Sequence, residues 1–96
     1  MPQLHITPAA TADLESIWSF TFDRWGETQA DLYFDHLIAR MEQLPATPML
    51  GLPRDEIRQG YRSLQVKQHV VYYRLIDETI EVVCVLHERM VPANHL

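Results

Sequence analysis

The C-terminal half of this 96-residue chain leaves little freedom in how it can fold. Tyr61 to Val66, His69 to Ile76 and Thr79 to Leu86 are three runs dense in Val, Tyr, Ile and Leu. Two residues separate each run from the next, and connections that short join antiparallel neighbours. The pattern therefore predicts a three-stranded meander, with Asp77-Glu78 as its second turn. In the last run Ile80, Val82, Cys84 and Leu86 alternate with Glu81, Val83, Val85 and His87. Both sets are largely apolar, which suits a central strand with helices over one face and partial cover on the other.

The first half carries a different period. Leu4-His5-Ile6 is expected to form a short strand, and Thr7-Pro8 ends it by supplying an N-cap side chain and a proline at the first helical position. Leu14, Ile17, Trp18, Thr21 and Trp25 then recur at the spacing of a core-facing helical stripe. Gly26 ends that helix. A second helix is expected from about Thr28, with Ala30, Phe34, Leu37, Met41 and Leu44 on its stripe and Pro45 as its stop. The short connection makes the pair an antiparallel hairpin. Pro45, Pro48, Gly51 and Pro53 mark a loop, and the remaining acidic residues of the helices, Asp13, Glu15, Asp31, Asp35 and Glu42, read as a solvated face.

Charge follows the same division. Residues 1–48 hold Arg24 and Arg40 against seven acidic side chains, whereas the second half holds six of each sign. From Arg54 to Arg74 the balance reverses locally, with Arg54, Arg58, Arg62, Lys67 and Arg74 facing only Asp55 and Glu56. A net charge of −5 argues against direct binding to nucleic-acid backbones, sequence-specific or not. No run reaches the roughly 18 apolar residues of a membrane span, and no secretory signal pattern opens the chain. One cysteine excludes an intrachain disulfide and fits a reducing cytoplasm. The length accommodates a single domain, residues 1–96, that buries roughly two-thirds of its unfolded surface.

Chemical motifs are sparse. Cys84 lies inside an apolar strand and reads as a buried structural thiol. His5, His36, His69, His87 and His95 lack metal-ligand spacing, and the three glycines form no phosphate loop, so neither a metal nor a cofactor is expected. Arg62, Arg74, His87 and Arg89 lie on or just beyond neighbouring strands. Converging on one sheet face, they would stabilise a phosphorane and move a proton. The alternative is that the arginines pair with Asp55, Glu56 or Glu81.

The order β-α-α-β-β-β resembles that of the RelE/ParE toxin superfamily, an α+β fold. Ala12-Asp13-Leu14-Glu15-Ser16-Ile17-Trp18, Trp25-Gly26, Gln29-Ala30 and Tyr33 resemble the ParE branch. So do Pro48 with Gly51, Asp55-Glu56-Ile57, Gly60-Tyr61-Arg62, His69 to Arg74 and Val85-Leu86-His87. The resemblance implies a non-enzymatic toxin that inhibits DNA gyrase by binding and forms a hetero-oligomer with a ParD-type antitoxin. Arg58, Arg62, Arg74, His87, Arg89 and Met90 are the expected contacts to antitoxin or target. Two alternatives stand beside it: a RelE-like ribosome-dependent messenger ribonuclease, and a non-toxic binding module with the toxin fold. The thin basic set, with one lysine and no tyrosine after Tyr73, and the acidic net charge disfavour the ribonuclease.

Overall fold

A computed structural model describes all 96 residues. Strand β1 (Gln3–Ile6) leads into helices α1 (Pro8–Trp25) and α2 (Glu27–Met41), followed by β2 (Leu52–Pro53), β3 (Tyr61–Val66), β4 (His69–Ile76) and β5 (Thr79–His87). The strands form one sheet in the order β1-β5-β4-β3-β2, in which β1 pairs parallel to β5 and every other pair is antiparallel. The expected meander and hairpin are both present. Two-residue β2 is an addition, drawn from the proline-marked loop.

Local chemistry sets the element boundaries. Thr7 Oγ1 accepts from the Ala10 amide at 3.2 Å and donates to the Val82 carbonyl at 2.9 Å, so the cap of α1 also ties the helix to β5. Gly26, at φ +88°, is the residue between the two helices and lets the chain reverse at once. In the β-turns Lys67, Asp77 and Glu78 take positive φ at +54°, +48° and +63°, a conformation costing on the order of 1 kcal/mol for each such residue.

The helical stripes bury Ala10, Leu14, Leu37, Met41 and Leu44 against Leu64, Val66, Val71, Tyr73, Ile80, Val82 and Val85. Trp18 and Trp25 depart from the expected stripe. Trp18 is half-buried, stacks on Phe22 with centroids 5.2 Å apart, and donates its indole N–H to Asp31 at 2.9 Å, thereby clasping α1 to α2. Trp25 is 63% exposed, because the last turn of α1 runs beyond the edge of the core.

A bulge corrects the expected facing of β5. Tyr72 pairs with Cys84 but Tyr73 pairs with Val82, so Val83 is an extra residue on β5. Beyond it the alternation is inverted: Val85 joins Ile80 and Val82 under the helices, while Cys84 and Leu86 turn to the far face with Tyr72. The backbone at the bulge is satisfied by side chains. Asp13 accepts from the Val85 amide at 3.0 Å and Thr7 donates to the Val83 carbonyl at 3.2 Å. Asp13 is thus a structural acceptor rather than a member of a solvated face, whereas Asp31 accepts from Trp18 while staying exposed.

Tyr73 anchors the loop. Its buried hydroxyl donates to the Pro48 carbonyl at 2.7 Å and accepts from the Gly51 amide at 2.8 Å. Gly51 is required by close approach, since a Cβ there would lie 2.8 Å from both the Ser63 carbonyl oxygen and the Tyr73 ring.

Candidate functional site

Where the helical hairpin overhangs the β3–β4 turn, a groove of about 1090 Å³ opens. Its walls come from the last turns of α1 (Phe20, Arg24, Trp25) and the first half of α2 (Leu32, Tyr33, His36). Lys67, Gln68 and His69, with the adjoining His87, Glu88 and Arg89, complete the lining.

A chain of aromatic rings forms the floor. The Gln68 amide donates to the Tyr33 hydroxyl oxygen at 3.3 Å, and the same hydroxyl is hydrogen-bonded to His69 Nδ1 at 2.6 Å and donates to Gln68 Oε1 at 3.5 Å. His69 meets His87 edge to face, with centroids 5.3 Å apart, and His87 Nδ1 accepts from the Arg89 amide at 3.2 Å. His87 Nδ1 is therefore an acceptor, whereas the direction of the Tyr33–His69 bond follows the His69 tautomer. Burial lowers the His69 pKa to about 4, helped by the neighbouring His87 and opposed by Glu88. Burial likewise raises that of Tyr33, against the Gln68 amide and with Glu88. Tyr33, His69 and His87 on the floor, with Arg24, Lys67 and Arg89 around them, equip the groove to hold an anion.

The expected contact residues occupy four separate places. Arg58 and Arg74 lie on the far face, each guanidinium 5.9 Å from the centre of the Tyr61 ring, and Arg74 is paired with Glu81 at 2.9 Å. Arg62 lies on the helix-facing side and donates to the Gly51 carbonyl at 2.7 Å. His87 and Arg89 belong to the groove, whereas Met90 lines a second hollow of about 420 Å³ with Leu50, Leu52, Arg54, Val70 and Tyr72. The convergence of Arg62, Arg74, His87 and Arg89 on one face does not occur, because adjacent residues on paired strands alternate in direction. Pairing with acidic residues is the outcome for Arg74, and for Arg54 with Glu56 at 3.7 Å. Cys84 is buried as expected, and burial, with Asp13 nearby, pushes its thiol up to about 12.

The Tyr33–His69–His87 arrangement escapes sequence reasoning. Ile76 pairs with Thr79, and an unbroken ladder from that turn would set His69 opposite Leu86. Only the extra residue at Val83 brings His87 into register with His69.

Comparison with known proteins bears on the whole length. Residues 4–92 match the family described as ParE toxin of type II toxin-antitoxin system, parDE. The chain is 48% identical over 86 residues to Toxin ParE1 of Mycobacterium tuberculosis, a match covering 88% of each chain. It is 36% identical over 96 residues to Toxin ParE1 of Caulobacter vibrioides, covering 100% of this chain and 99% of that one. Its fold superposes with a TM-score of 0.82 on a chain of the chromosomal ParDE TA system from P. aeruginosa, at 20% identity over 91% of this chain and 96% of the other. With an end-to-end sequence match, two relatives above 30% identity and the same fold, this chain belongs to the ParE toxins of type II toxin-antitoxin systems.

Proposed function

We propose that this ParE-family chain inhibits DNA gyrase by binding, performs no chemistry on it, and is held inactive in the cytoplasm by a ParD-type antitoxin. The observation that carries this reading is the dispersal of the basic residues. Phosphoryl chemistry needs preorganised donors aimed at one developing charge. Here Arg62 and Arg74 point from opposite faces, and each is already engaged, by Gly51 and Glu81 respectively. What the chain offers a partner is surface. Leu50, Leu52, Met90 and Val91 are exposed around the second hollow, a set suited to a segment that folds on binding.

A gyrase supercoiling assay with the purified chain tests the target, and pulse labelling of cells expressing it separates the alternatives. Supercoiling inhibition with translation initially intact is expected. Immediate loss of protein synthesis with cleaved messenger would replace this reading by a ribonuclease. That second reading draws on one observation, the tyrosine and two histidines in the groove. His87→Ala distinguishes the two: toxicity persists under surface recognition, whereas loss of a general acid or base costs about 10²–10⁴ in rate. Deleting residues 88–96, which removes Arg89, Met90, Val91 and Leu96, is expected to reduce or abolish toxicity while circular dichroism reports a retained fold. Saturating ParD-type antitoxin is expected to raise Tm, and an unchanged Tm would remove the partner-completed surface from the proposal.

A further inference from the structure

We propose that the groove between the helical hairpin and the β3–β4 turn is a nucleotide site, in which aromatic side chains stack on the base and Lys67, Arg89 and Arg24 hold the phosphates. The proposal is independent of the gyrase reading.

Ring content decides the class of ligand. Six of the fourteen lining residues carry planar rings, namely Phe20, Trp25, Tyr33, His36, His69 and His87, and Leu32 is the lone aliphatic side chain. A groove for an amphipathic peptide would present aliphatic sockets for its anchors. Rings interleaved with cations are what a base joined to phosphates requires. Trp25, left out of the core and 63% exposed, lines this groove.

Charge points the same way. On a chain of net charge −5, three cations meet in one groove with a single acidic neighbour, Glu88, which accepts a hydrogen bond from Gln65 at 3.1 Å. Arg24, Lys67 and Arg89 take part in no ion pair, since the pairs present are Arg54–Glu56 and Arg74–Glu81. Lys67 also occupies the first central position of its turn with φ +54°, a place where glycine is favoured. The Asp77–Glu78 turn tolerates the same backbone state away from the groove, so the strain itself belongs to hairpins. Lys67 differs in delivering an ammonium group to an aromatic-lined groove. Its turn is held in place by the Gln68 amide on Tyr33.

The test is a titration of the full chain with ADP, adenosine, inorganic phosphate and an acidic peptide of matching charge, followed by amide NMR shifts of Lys67, Gln68 and His69. ADP is expected to bind more tightly than adenosine or phosphate alone, because each supplies half of the contacts. Lys67→Gly relieves a left-handed residue, so it should raise Tm while weakening ADP binding about tenfold. Glu78→Gly is the control, with a higher Tm and unchanged binding. Trp25→Ala should weaken ADP about tenfold with little change in Tm. Absence of ADP-induced shifts at millimolar concentration would overturn the proposal. So would full ADP affinity in Lys67→Gly, or an acidic peptide that binds more tightly than ADP, which would make the groove a peptide site.

Discussion

Under the helices twelve buried residues form one cluster, whereas the cluster on the opposite face of the sheet has three, Tyr72, Cys84 and Leu86. The first face is sealed by two amphipathic helices and pinned by buried polar groups, with Tyr73 on the loop and Asp13 on the bulge. The second is covered by Ile57, Val70 and Leu96, all half-buried. From Met90 onward, the backbone bonds of the C-terminal segment are local, Met90 to His87, Asn94 to Val91, and His95 and Leu96 to Pro92. Leu96 reaches the sheet through apolar contact alone. Stability is concentrated on one face, and the other is left with surface that a partner can use.

The largest expected effect comes from a matched pair of truncations. Leu37→Ala, in the sealed core, should cost about 3–5 kcal/mol by urea denaturation, and Leu86→Ala, on the thinly covered face, about 2 kcal/mol or less, because its cover can collapse into the gap. Equal losses would break the comparison. Next in size is the polar pin. Asp13→Ala leaves the Val85 amide without its acceptor and should cost about 1–2 kcal/mol, with Asp13→Asn recovering part of it. No loss in Asp13→Ala would mean that the bulge supports itself.

The smallest effect is a pH dependence at the rim of the sealed face. His69 titrates near 4 in the fold against about 6.5 when unfolded, so between those values the unfolded chain binds more protons. Its contribution is therefore intact above pH 6.5 and lost as the pH falls toward 4. Thermal melts of His69→Gln over this range should lose less stability on acidification than the parent chain, and parallel profiles would remove His69 as the cause.

Much of the sealed face was legible in the sequence. Period-3.6 stripes located both helices, two-residue gaps located the meander, and Thr7-Pro8 and Gly26 located the helix ends. Legibility failed wherever a residue's role depends on something distant. Asp13 is 72 residues from the amide it satisfies, and nothing local distinguishes it from the solvated Glu15. Trp25 continues the helical spacing but outruns the sheet beneath it. The arginines on β3 and β4 were placed on the right strands, yet strand alternation sends Arg62 and Arg74 to opposite faces. On β5 the extra residue was invisible because both sets of alternating side chains are apolar, so either facing satisfies the pattern.

That extra residue means β5 is read in two frames. Straightening the strand with Val83 taken into the ladder would return it to one frame, swinging Cys84 and Leu86 beneath the helices, expelling Val85, and turning His87 out of the groove. Conservative substitution along β5 changes one contact at a time, whereas a one-residue shift of register rewrites every contact beyond it. The strand is consequently freer in composition than in register, and the bulge couples the packing of the core to the lining of the groove.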